Sequence, residues 1–214
     1  MKIFAVVPVS ALEHGKSRLD GCISSLQRRM LNWNLFRRTM HIVTKLVPGP
    51  RCLVVSRSDE VLDYARELSC LALRESELLD LNNALTIAAG KSAELGADAV
   101  LSVSTDLPYL TLDELLTLVS HAPQHDVVIA HDTMRQGTNA LLMRPPLAIS
   151  YAYGEGSFHH HLSLARNVGL SALAFHSPGL ARDLDTPEDL DQYRPVVESM
   201  LLGDFDPTVA VSPG

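Results

Sequence analysis

The 214-residue sequence predicts a single α/β domain built on a mostly parallel sheet, and three observations carry that prediction. Short continuous apolar runs recur along the chain. Stretches with apolar residues three and four apart separate them, and the loops that follow the runs hold the reactive side chains. A strand buried on both faces reads as an unbroken apolar run, because both of its side-chain sets meet a helical layer. Strands alternating with helices make right-handed βαβ crossovers with helices on both faces of the sheet.

The elements follow in order. Ile3 to Val7 is the first strand-like run. Residues 24 to 46 read as a helix, with Leu26, Met30, Trp33, Phe36 and Met40 at helical spacing. "CLVVS" (52 to 56) is the next strand, followed by helices over 59 to 69 and 82 to 95 and a strand at "AVLSVS" (99 to 104). Thr111, with Glu114 three residues later, forms a capping box that opens a helix to 120. "DVVIA" (126 to 130) and "ALAF" (172 to 175) are further strands, and a helix starts after Ser157. Thr186 reads as an N-cap, with Pro187 at the first helical position. From Gly203 the chain is aperiodic, so the expected domain is 1–202, with 203–214 as a terminal extension.

Composition narrows the function. Hydrophobic residues at 46% and charged residues at 20% are those of a chain that folds. Lys and Arg number 18 against 25 acidic residues, so the net charge of −7 leaves no basic field for nucleic acid or an anionic membrane. Small phosphate compounds stay open, since local cations, backbone N–H groups and a divalent metal bind them against the global sign. Cys22, Cys52 and Cys70 form no framework, and the apolar start before Pro8 is too short for a signal-peptide core or a membrane span. Reduced thiols and a cytoplasmic setting are expected. Oligomeric state is left open, a homodimer included.

Ligands gather at the carboxyl ends of strands in open α/β sheets, and four loops there carry chemistry. In "PVSALEHGKSRLDG", Lys16 and Arg18 follow Gly15 and suit a triphosphate or a leaving pyrophosphate; a solvated surface pair is the alternative, as the Walker pattern is absent. In "SVSTDLPYLTLDEL", Asp106 ends a buried strand at the sheet's functional edge, or else is a turn residue bonding its own backbone. In "RDLDTPEDL", an extended chain puts Asp183 and Asp185 on one face, and with Asp106 they make a candidate magnesium site. The fourth loop, "YGEGSFHHHL", offers two readings. Three consecutive helical histidines fan over about 200° and do not converge on one ion. His161 is expected to turn inward and His160 outward. Gly154 and Gly156 instead allow close backbone approach, and Ser157 supplies a hydroxyl at a helix N-terminus, either for an anion or merely as a turn and cap.

The order "PVSALEHGKSRL", "DLNNAL", "STDLPYL", "GTNALLMRPP", "YGEGSFHHHL", "RDLDTPEDL" resembles the 2-phospho-L-lactate guanylyltransferase family of coenzyme F-420 biosynthesis, from about residue 3 to 190. That resemblance implies a nucleotide-diphospho-sugar-transferase-like three-layer sandwich that joins GTP to 2-phospholactate, phosphoenolpyruvate or 3-phosphoglycerate and releases pyrophosphate. It implies triphosphate binding and catalysis by Lys16 and Arg18, a nucleotide contact at Asn82, and Mg2+ on Asp106, Asp183 and Asp185. It also implies that Thr138, Gly154 and Ser157 hold the phosphorylated acid. Three positions depart from the family pattern: Ser10 replaces a common Lys, Asp80 a Gly and Tyr153 a Phe. Ser10 removes one phosphate cation. A different nucleotide, a sugar-phosphate acceptor and a non-catalytic nucleotide-binding module are the rival readings.

Overall fold

The structure is a computed structural model that describes residues 1–13, 15–76, 80–202 and 205–208. Its seven strands are β1 (Ile3–Val9), β2 (Cys52–Ser56), β3 (Leu71–Arg74), β4 (Ala99–Val103), β5 (Val127–His131), β6 (Thr138–Met143) and β7 (Ala172–Phe175). They form one sheet in the order β3-β2-β1-β4-β6-β5-β7, with β6 antiparallel to both its neighbours. The helices are α1 (Ser25–Leu46), α2 (Asp59–Glu67), α3 (Leu81–Glu94), α4 (Leu112–Ser120), α5 (Ser157–Asn167), α6 (Pro178–Ala181), α7 (Pro187–Gln192) and α8 (Arg194–Leu201).

The alternating side chains of β1 show why the run is continuous. Ala5, Val7 and Val9 join Phe36, Met40, Val61 and Leu115 in one core under α1, α2 and α4. Phe4 and Val6 join Ala84, Ala88, Ile129 and Phe158 in a second core under α3 and α5. A third cluster locks α8 to α1 through Leu31, Leu35, Val196, Val197 and Met200, with Leu19, Leu184 and Tyr193. The domain therefore extends through α8. Phe205, in the expected extension, packs against that same cluster.

Five strands and six helices match the sequence reading within a few residues. Two strands were not foreseen. β3 is a four-residue edge strand with only half-buried faces, so "LALR" carries no continuous apolar signal. β6 is buried at all six positions, but it opens on the polar Thr138 and Asn139, which mask its apolar half. Leu26, assigned to the apolar stripe of α1, is exposed; Leu31 and Leu35 are buried instead. Thr111 caps α4 with Glu114, as expected. Thr186 caps α7 with Asp189 as its reciprocal partner.

The chain leaves β1 for β2 and β3 on one side, then crosses back through α3 to β4 on the other. β1 and β4 thus flank the topological switch point, where diverging loops leave a crevice at the strands' carboxyl ends.

Candidate active site

A cleft of about 290 Å³ opens at that switch point, close to the roughly 300–1,000 Å³ usual for small-ligand pockets. Its walls come from the segment after β1 (Ser10 to Leu12, Gly15, Lys16), the end of β2 (Val55), the start of α3 (Leu81, Ala84), and Ser104, Thr105, Asp106 and Asp185. Glu75, just past β3, closes the far end, ion-paired to Arg57 at 3.1 Å. No sequence motif pointed to Glu75; it reaches the site because β3 pairs beside β2.

Asp106 lies three residues beyond β4, in the turn before α4, rather than at the strand end itself. The Leu184 N–H donates to the Asp106 carbonyl at 2.9 Å, which brings "RDLD" to the switch point from the far end of the sequence. Asp106 Oδ1 is buried and has no hydrogen-bond partner. Burial pushes its carboxyl up to about 6; Lys16 opposes that shift, and Asp185 and Asp183 add to it. A buried polar atom left unpaired is costly, and an ion-binding role is one of the few things that accounts for it.

Lys16 adopts a left-handed backbone conformation that turns its side chain inward, leaving it 6% exposed. Its ammonium donates to the Leu184 carbonyl and to Asp185 Oδ1, the latter at 3.2 Å. Leu184 is fully buried, so Asp183 and Asp185 flank it on the partly exposed side, as the period of two predicts. Asp183 accepts from Asn139 Nδ2 at 3.5 Å, and burial raises its carboxyl above the usual range. Among the described residues no group of three or more His, Cys, Asp or Glu is arranged to hold a metal. The predicted carboxylate trio is gathered in one region but is not a ready-made cage. Magnesium does not need one: it is held by one or two carboxylates plus substrate phosphates and water. The unpartnered Asp106 oxygen, beside Asp185 and a cation already drawn to it, fits that ion.

The remaining predicted residues divide. Arg18 is exposed on the 3-10 turn Ser17–Leu19 and does not wall the cleft. Asn82 also stands outside it, with its carboxamide turned to the next loop: Nδ2 donates to the Tyr153 carbonyl at 3.1 Å and Oδ1 accepts the Tyr153 N–H at 2.7 Å. It ties the start of α3 to the loop of the predicted acid site. Asn82→Ala is therefore expected to raise the acceptor KM about tenfold, the worth of one to two hydrogen bonds, with little change in the KM for nucleotide. A rise confined to the nucleotide KM in steady-state assays would show instead a direct nucleotide contact.

Thr138, Gly154 and Ser157 form that second locale. Gly154 has φ +131, a conformation open in practice to glycine alone, and Gly156 at φ +69 is the residue that caps α5. Ser157, the first residue of α5, is buried, and its N–H donates to the Gly154 carbonyl. Of the three histidines, His159 and His160 are exposed and His161 is fully buried, as helical geometry requires. His161 Nδ1 lies 3.0 Å from Thr138 Oγ1, and its Nε2 accepts the Ala152 N–H at 2.9 Å. Burial, followed by the nearby His160, pushes the His161 imidazole down to about 4, so it is neutral. The two locales adjoin: the Tyr153 phenol is pushed well up by burial first and then by the charges of Tyr151 and Asp106.

Comparison with known proteins identifies the family. The model of the "Guanylyl transferase CofC like" family matches residues 1–196. The phosphoenolpyruvate guanylyltransferase of Sphaerobacter thermophilus is 36% identical over 90% of this chain and 92% of its own. The 2-phospho-L-lactate guanylyltransferase of Methanothermobacter thermautotrophicus is 35% identical over 90% and 84%. The 3-phospho-D-glycerate guanylyltransferase of Colwellia psychrerythraea is 32% identical over 89% and 90%. Among solved structures, a protein from Desulfovibrio desulfuricans G20 assigned as a nucleotide-diphospho-sugar transferase superposes with a TM-score of 0.67 at 13% identity, covering 94% of this chain and 99% of its own. That likeness shows the fold. The sheet order, the carboxylate-lined switch point and a family match over residues 1–196 converge: the chain belongs to the CofC-like guanylyltransferase family.

Proposed function

We propose that the protein transfers a guanylyl group from GTP to a phosphorylated three-carbon acid, 2-phospholactate, phosphoenolpyruvate or 3-phosphoglycerate, in the cytoplasm and as a step of coenzyme F-420 formation. A phosphate oxygen of the acid attacks the α-phosphorus, the bond from that phosphorus to the bridging oxygen breaks, and pyrophosphate leaves with the electron pair. A phosphate is already a nucleophile, so neither a covalent enzyme intermediate nor a general base is required. Charge neutralisation and alignment are what the protein supplies.

The observation that carries this reading is the buried, unpartnered Oδ1 of Asp106, beside Lys16 and Asp185 at the switch point. Asp106 and Asp185, with Asp183 beside them, would hold a magnesium ion, which would supply positive charge to the phosphoryl oxygens. Lys16, whose ammonium rests on Asp185 and the Leu184 carbonyl in the wall of the cleft, is the cation that would steady the departing pyrophosphate. Arg18, exposed on the adjoining turn, is the second cation that the family resemblance assigns to the phosphates. The bend from Gly154 to Ser157, with Thr138, receives the acid.

The test is pyrophosphate release with magnesium and GTP against each of the three acids, alongside the other nucleoside triphosphates and a panel of sugar phosphates. Turnover with GTP and at least one of the acids is expected. Release only with another nucleotide or with a sugar phosphate overturns the substrate assignment, and GTP binding without release under any pairing makes the protein a binding module.

A further inference from the structure

The third histidine has a chemical consequence that follows from its two hydrogen bonds. The Ala152 N–H is a donor with no alternative role, so the ring nitrogen that receives it, Nε2, carries a lone pair and no proton. In a neutral imidazole the proton then resides on Nδ1, and Nδ1–H donates to Thr138 Oγ1 at 3.0 Å. Thr138 is thereby the acceptor of that bond. Its own hydroxyl proton has to point elsewhere, and no described residue is hydrogen-bonded to it.

We propose that His161 is a positioning residue for the acceptor: by fixing one tautomer it leaves the proton of the buried Thr138 hydroxyl out of their shared bond and free to be donated to an anionic oxygen of the phosphorylated acid. The inference rests on the reading that this locale receives the acid. The same ring holds Ala152, and Asn82 holds Tyr153, so the loop entering the Gly154 bend is clamped at two successive residues. A ring turned over, or protonated on both nitrogens, would lose the Ala152 bond and scramble the direction of the threonine hydroxyl. Burial of His161 at the base of α5 prevents both.

The experiment is a double-mutant cycle read as acceptor KM at saturating GTP, with GTP KM measured in parallel. A hydrogen bond from a neutral hydroxyl to a charged oxygen corresponds to about 10–100-fold in affinity. His161→Phe and Thr138→Val are each expected to raise the acceptor KM by that range and to leave the GTP KM within about threefold. His161→Gln offers one amide N–H and one carbonyl oxygen to the same two partners and is expected to restore most of the loss. In the Thr138→Val background, His161→Phe should add clearly less than it does alone, because only its hold on Ala152 is left to lose.

Additive effects in the cycle, or a Gln variant as impaired as Phe, overturn the inference and leave His161 a packing residue. An unchanged GTP KM shows that the variants are folded; a GTP KM that rises in step with the acceptor KM also refutes the proposal. If Thr138→Val leaves the acceptor KM untouched while wild-type turnover is normal, the acid binds elsewhere and the reading of this locale fails with the inference. A wild-type enzyme with no turnover on any of the three acids fails the proposed reaction itself, a result distinct from all of these.

Discussion

Asp106→Asn is expected to abolish pyrophosphate release while leaving the domain at least as stable as the wild type. The two outcomes share one cause. Asp106 is half-buried, its Oδ1 is fully buried without a hydrogen-bond partner among the described residues, and burial raises its carboxyl to about 6. A carboxyl whose folded-state value lies above its unfolded one binds more protons when folded. It favours the folded state most below about pH 3.8, and the cost of its charge is fully present above about pH 6. At pH 7.5 the native protein bears that cost, on the order of 1–3 kcal/mol. Asn has nearly the same shape and no charge, so the cost disappears. In the proposed reaction catalysis would lose the charge that draws a cation to the α-phosphate, and turnover should fall by at least about 10²–10³-fold. Pyrophosphate release together with urea unfolding at pH 7.5 measures both. A variant that turns over normally removes Asp106 from the reaction, and one that is inactive but also markedly less stable makes it a structural residue.

The second large effect is a pH dependence of stability that His161 imposes, with the opposite sign. Its imidazole is depressed from 6.5 to about 4 in the folded protein, so between those values the unfolded chain binds the extra proton and the native one does not. Stability from this group is complete above about pH 6.5, declines as pH falls, and is lost in full below about pH 4, a span worth about 3 kcal/mol. Asp106 works the other way across much of the same window, becoming less unfavourable as pH falls. The two slopes partly cancel in the wild type, so the difference between wild type and variant is the informative quantity. Denaturant unfolding of wild type and His161→Gln from pH 4 to 7.5 should show the wild-type advantage shrinking steadily toward low pH. A constant difference across that range would mean that the buried ring does not titrate out of its hydrogen bonds.

Much of this site was legible in the primary structure, and the reason is local. Lys16, Asp106, Asp183 and Asp185 stand in loops that directly follow apolar runs or precede capped helices, so strand, turn and cap signals place them at one edge of the sheet. The period of two set Asp183 and Asp185 on either side of buried Leu184, and the 100° helical step turned His161 inward and left His159 and His160 outside. Where the local signals were mixed, the reading faltered. Short, half-exposed β3 and polar-headed β6 carry no run long enough to declare themselves. Asn82 sits in a motif that implied a nucleotide contact, yet its carboxamide is occupied by a loop 71 residues away.

The sequence by itself determined the α/β class, the alternation of buried strands and helices, and the four loops in which chemistry is concentrated, because periodicity, caps and turn residues act over a few positions. Only the tertiary structure decided which of those residues meet. The Leu184 N–H on the Asp106 carbonyl, Glu75 at the end of the cleft, Arg18 left outside it and His161 joined to both Thr138 and Ala152 all depend on pairings across the sheet. Such pairings are set by strand order and packing of the two cores, which no window along the chain contains.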